Sequence, residues 1–108
     1  MIESIKADRI LELPSKPTLS DGTAGGVEAG SITFDLVRDN VDDYVTVSES
    51  EIAGSLRTFI EVEHQLIEGA AAVAVAAYLK RKDELVGKNV VLVICGANIA
   101  LETLKSVM

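Results

Sequence analysis

Apolar residues in this chain follow two rhythms, one helical and one strand-like, and the switches between them predict the order helix, loop, helix, strand, helix, helix, strand, helix. The helical rhythm is clearest where Ile52, Leu56, Phe59 and Ile60 share one face and Glu49, Glu51 and Arg57 take the other, so a helix is expected from Ser48 to about His64. Ser48 with Glu51 three residues later has the form of a capping box, which satisfies two orphan backbone donors at the helix start. Gly69 opens a further helix to about Lys82, and its run Ala70 to Ala77 is small nearly all round, as a centrally packed helix requires. Ile32, Leu36 and Val37 share a face over 32–40 with Ser31 placed to cap. Met1 to Arg9 sets Ile2 and Ile5 against Glu3, Lys6 and Asp8; it resembles the last turns of a helix, lacks a preceding cap, and suggests chain removed upstream. A closing helix begins at Ile99, with Asn98 as its cap and Leu101, Leu104 and Val107 on its apolar side.

The strand rhythm peaks at Val90 to Asn98, V-V-L-V-I-C-G-A-N, where Asn89 to Cys95 is expected to be a strand buried on both faces that runs into a tight turn. Tyr44 to Val47 is a shorter β-branched strand. Ile10 to Leu13 alternates weakly before Pro14 and Pro17 force an extended path without ladder donors. Leu85 to Lys88, with Gly87, is a turn. Strands separated by helices pair in parallel with right-handed crossovers, so the expected fold is α/β, a partial parallel-sheet domain. Residues 1–108 are read as a single α/β segment of a larger domain, because two or three strands are few for a sheet covered on both faces. Strand edges left unpaired predict self-association into a homo-oligomer, with exchange of the Met1 to Pro17 arm as one route.

Composition narrows the partners. A formal charge of −7 argues against nucleic acid, whose phosphate backbone needs clustered Lys and Arg. Lys80, Arg81 and Lys82 fall at a helix end, where cations complement the dipole. One cysteine excludes an internal disulfide, and with no secretory plan at the N-terminus the expected compartment is the cytoplasm. The uncharged stretch from Gly69 to Leu79 is too short for a membrane span of about 20 residues. Gly22, Gly25, Gly26 and Gly30 crowd one loop that fits neither a dinucleotide fingerprint nor a P-loop. Glu61 and His64 form an isolated Glu-x-x-His pair, Asp39 to Asp43 lacks the ligands of a calcium loop, and no metal site is expected.

Three segments, Leu19 to Thr33 (L-S-D-G-T-A-G-G-V-E-A-G-S-I-T), Leu66 to Ala77 (L-I-E-G-A-A-A-V-A-V-A-A) and Val90 to Asn98, together resemble the C-terminal part of the serine/threonine dehydratase and serine racemase family. These are pyridoxal-phosphate enzymes of the tryptophan synthase β type, or fold type II, and the resemblance covers nearly the whole chain. It implies a place in the large cofactor-binding domain of such an enzyme, a small amino-acid substrate, and α,β-elimination to a 2-oxo acid and ammonia, with racemisation as the sister activity. It also implies that Cys95 matches the neutral donor to the pyridine nitrogen and Glu68 the carboxylate near the ring edge. Gly22 matches a residue whose backbone lies by the cofactor, and Gly96 allows the turn after Cys95. By position alone, Cys95 also fits a small buried hydrophobe and Glu68 a plain residue at a helix start.

The family's Schiff-base lysine, in a segment like S-F-K-x-R-G, and its glycine-rich phosphate loop do not occur in these 108 residues. None of Lys6, Lys16, Lys80, Lys82, Lys88 and Lys105 sits in an apolar setting that would lower an amine pKa. The expectation is therefore no catalytic residue in this chain, cofactor-binding roles for Gly22, Glu68, Cys95 and Gly96, and no activity or stable cofactor binding in isolation. Two competing readings are a free-standing, non-catalytic interaction or oligomerisation module, and a domain that binds a small anion at Gly22 to Gly30.

Overall fold

The computed structural model describes all residues, Met1 to Met108, and it is built from helices joined by irregular segments. The α-helices are α1 (Ile2–Lys6), α2 (Ile32–Asn40), α3 (Glu49–Glu63), α4 (Gly69–Arg81) and α5 (Leu101–Val107), with 3₁₀ turns at Asp21–Thr23 and Lys82–Leu85. No residue lies in a strand, which overturns the expected α/β parallel sheet. Helix makes up 52% of the chain and strand 0%. No helix is long and apolar enough to cross a membrane.

The failure has a physical cause at both expected strands. A helix closes its hydrogen bonds within its own segment, whereas a strand needs a neighbour of matching register. Tyr44 to Val47 and Asn89 to Cys95 do not pair with each other or with any third segment. The run expected to be buried on both faces is instead largely open: Val91 is 86% and Val93 70% exposed, and only Leu92 of that run leans on the core. The helical expectations fared better, because their signals are local. α2 has the expected bounds, α3 and α4 end within a residue of theirs, and α5 starts two residues later than Ile99.

The chain divides into two compact units. In the first, Met1–Lys16 with Ala24–Val45, α1 touches α2, and the buried Ser4 accepts the Leu11 N–H at 3.0 Å. Arg38 bridges Asp35 at 3.0 Å and Asp39 at 2.8 Å, and its guanidinium lies 5.5 Å from the centre of the buried Phe34 ring. Ser31 occupies the N-cap of α2 without accepting a helical N–H; its hydroxyl pairs with Thr33 instead.

The second unit, Pro17–Thr23 with Thr46–Met108, holds the main core. Ile52 and Leu56 of α3 meet Ala71, Ala72 and Val75 of α4, joined by Ile67 and by Val107 of α5. The buried alanines of α4, Ala71, Ala72 and Ala76 among them, remove side-chain bulk and let the two helices approach closely. The capping box is present as the sequence requires: the Ser48 hydroxyl accepts the Glu51 N–H at 3.2 Å, and Glu51 accepts the Ser48 N–H at 2.6 Å. His64, in the left-handed region at φ 55°, stops α3 and turns the chain toward α4. Arg57 donates to the Val107 carbonyl and fastens α5 onto α3.

Candidate functional site

The start of α4 is the most constrained point of the second unit. Gly69, its first residue, is pressed against the Leu19 backbone, and a Cβ there would overlap the Leu19 carbonyl group. No other amino acid fits without moving one of the two backbones. The residue before it, Glu68, takes an extended N-cap conformation and sends its side chain away from its own helix.

Glu68 is joined to the turn that follows Cys95 by two hydrogen bonds in opposite senses. Its N–H donates to the Gly96 carbonyl at 3.0 Å, and its Oε2 accepts the Asn98 N–H at 3.0 Å. The carboxylate fills the space over Gly96, where an added Cβ would meet it at 2.5 Å. Oε1 reaches to 3.5 Å from the position of a Cβ on Gly22. Three of the four residues assigned to the cofactor, Gly22, Glu68 and Gly96, thus converge on one carboxylate. Cys95, the fourth, adjoins Gly96 in sequence and is exposed, not buried as a structural thiol would be.

One role differs from that expected. Asn98 does not cap the closing helix: α5 begins at Leu101 behind Ala100, with no side-chain cap, and the Asn98 N–H serves Glu68. The partner of the Glu68 carboxylate is that loop amide. Asp21 accepts the adjacent Gly22 N–H at 2.8 Å.

The glycine-rich loop behaves as two pieces. Gly22 belongs to the second unit, while Gly25, Gly26 and Gly30 belong to the first, where 26–30 line an open cavity of about 830 Å³ with Ile10, Glu12 and Phe34. Its charged wall residues are the carboxylates Glu12 and Glu28, with no cation among them. That lining opposes an anion site at Gly22 to Gly30.

Two acidic residues at the start of α3 matter more than their pattern suggests. Glu51 accepts the Ser48 N–H and pairs with Lys80 of α4 at 3.1 Å, and these contacts, the backbone one first, hold its carboxyl below its ordinary value. Lys80 also donates to the Thr46 carbonyl at 3.0 Å, so it does more than complement a helix dipole. Glu49 accepts the Leu19 N–H at 2.8 Å and the Thr18 hydroxyl at 2.6 Å, which lowers its pKa in that order of effect. Sequence periodicity placed Glu49 and Glu51 on the outward face; the capping box anticipated the Ser48 contact of Glu51, and nothing signalled Lys80 for Glu51 or Thr18 and Leu19 for Glu49. The one available hint was that a single capping box leaves the second carboxylate of Ser48-Glu49-Ser50-Glu51 unassigned.

Comparison with known proteins identifies the family. A profile of the family described as pyridoxal-phosphate dependent enzyme matches residues 1–96. The L-threonine ammonia-lyase of Thermotoga maritima is 43% identical over 99 residues, covering 92% of this chain and 24% of that protein. The L-threonine ammonia-lyase of Geobacter sulfurreducens is 40% identical over 106 residues, covering 97% and 26%. Among solved structures, maize serine racemase superposes with a TM-score of 0.80 at 28% identity, over 96% of this chain and 34% of that one. The serine racemase of Dictyostelium discoideum gives 0.76 at 31% identity, over 92% and 31%. The chain spans about a quarter of these curated relatives and about a third of these solved chains.

Proposed function

Because this chain belongs to the pyridoxal-phosphate-dependent enzyme family, we propose that it supplies the pyridine-ring side of the cofactor site in a threonine or serine dehydratase. The observation that carries this reading is the meeting of Gly22 and Gly96 on the Glu68 carboxylate, with the exposed Cys95 thiol at the neighbouring position. The donor set suits the ring: the exposed Cys95 thiol is a neutral, weak donor for a pyridine nitrogen, and the Glu68 carboxylate seated over Gly96 would border the ring edge. It offers no cation for the phosphate. When bound, pyridoxal phosphate supplies the electron sink that assists loss of the Cα proton and the β-hydroxyl of the amino acid, ending in a 2-oxo acid and ammonia.

The residues of this chain hold and tune. Cys95 would offer the ring nitrogen a donor without a formal charge, which would leave that nitrogen largely unprotonated and suit prompt departure of the β-substituent. Glu68, fixed by the Asn98 N–H, would border the ring edge. Residues 1–108 belong, in this reading, to the C-terminal part of the large cofactor-binding domain of a cytoplasmic, homo-oligomeric enzyme. With no lysine in the required motif, the 108-residue chain alone turns over neither substrate.

A chimera tests the reading: this chain replaces the matched quarter of the Thermotoga maritima ammonia-lyase. Threonine or serine dehydration by the chimera, kept by Cys95→Ser and lost in Cys95→Asp, supports the proposal. Equal losses for the two substitutions assign Cys95 to packing, and 2-oxo acid formation by the isolated chain above the free-cofactor rate refutes its dependence on a lysine elsewhere.

A further inference from the structure

Glu49 lies on the first turn of α3, outside the group formed by Gly22, Glu68 and Gly96, yet its carboxylate grips the segment that carries Gly22. One oxygen accepts the Thr18 hydroxyl at 2.6 Å and the other the Leu19 N–H at 2.8 Å, across about thirty residues of sequence. Both are charge-assisted and short, the strong kind of hydrogen bond. The grip passes along the segment in steps. Thr18 Oγ1 accepts the Ser20 N–H at 3.1 Å, and the Ser20 carbonyl accepts the Thr23 N–H at 3.0 Å, which closes the turn around Gly22. From the other side the Leu19 carbonyl is stopped by Gly69. The segment is therefore held between a carboxylate of α3 and the bare backbone of α4, and Gly22 is delivered to the Glu68 carboxylate.

We propose that Glu49 is a positioning residue of the candidate site, acting through the Thr18–Thr23 segment to hold Gly22 against Glu68. Its role at that site rests on the reading given above for Gly22 and Glu68. The carboxyl group's lowered pKa, caused first by the Leu19 N–H and then by the Thr18 hydroxyl, agrees with an ionised form that accepts both bonds. The bland role for an acidic residue in a helix's first turn is to complement the dipole, and it predicts a different response: a loss spread over the whole helix.

Amide-resolved NMR of the 108-residue chain separates the two. In Glu49→Ala the Leu19 and Thr23 amides are expected to exchange about tenfold faster, the equivalent of about one lost hydrogen bond. The Gly22 and Asn98 signals shift, while amides inside the α3 and α4 core keep their rates. Glu49→Gln, which retains one acceptor oxygen, restores part of the Leu19 protection and most of the Gly22 shift. Unchanged Leu19 exchange in both variants overturns the proposal, as does a uniform acceleration along α3. Should the alanine variant not fold, the glutamine variant decides alone, since any positioning role requires a measurable rise at Leu19. None of these readouts involves the cofactor, so failure of the chimera experiment and failure here are distinguishable.

Discussion

The alanine-rich helix α4 and the valine-rich run Val90 to Ile94 are both strongly apolar, yet Ala71 and Ala72 are fully buried while Val91 is 86% exposed. Hydrophobicity per residue would rank them the other way. The difference lies in what each segment needs before it can be buried. α4 satisfies its own backbone and offers small side chains, so α3, with Ile67, Val107 and the Leu19 segment, can close over it without any pairing of backbones. The valine run has a backbone that demands a paired strand, and no segment of this chain provides one. Burial follows from available partners, not from apolar composition alone.

Removing side-chain volume from the covered region is the hardest test of this contrast. Leu56→Ala deletes a fully buried side chain facing α4, and its expected cost of about 2–5 kcal/mol should appear as a lowered denaturant midpoint by circular dichroism. A smaller loss would mean that α3 and α4 collapse onto the cavity. Adding volume comes next. Gly69→Ala forces a methyl group into the Leu19 carbonyl and is expected to cost about 1–3 kcal/mol. It should also shift the Asn98 amide signal through Glu68, and an unshifted signal would uncouple the helix start from the site.

Acid should weaken the same unit modestly. Glu49 and Glu51 both have carboxyls held below the ordinary glutamate value of 4.5. The unfolded chain takes up those protons first as pH falls, so their contribution is complete above about pH 4.5 and is lost as pH drops through the depressed folded values. Equilibrium unfolding between pH 7 and 3 should show a shallower slope in the Glu49→Gln, Glu51→Gln double variant. An unchanged slope would assign acid sensitivity to other carboxylates. The smallest effect belongs to the open valine run: Val91→Ser is expected to change stability by no more than about 0.5 kcal/mol. A loss near that of Leu56→Ala would show that Val91 is covered in solution, as self-association requires.

By itself the sequence determined what depends on a few consecutive residues. Ser48 and Glu51 set the start of α3, the spacing of Ile52 and Leu56 its buried face, and the small residues after Gly69 the central place of α4. The three quoted segments were sufficient to identify the family. Tertiary structure decided whatever needed a partner distant in the chain: that Asn89 to Cys95 forms no strand, that Asn98 serves Glu68 and not α5, and that Glu49 reaches back to Thr18 and Leu19. Helix periodicity and capping are properties of one turn and its neighbours, whereas strand pairing and carboxylate grips join residues whose proximity exists only after the chain has folded.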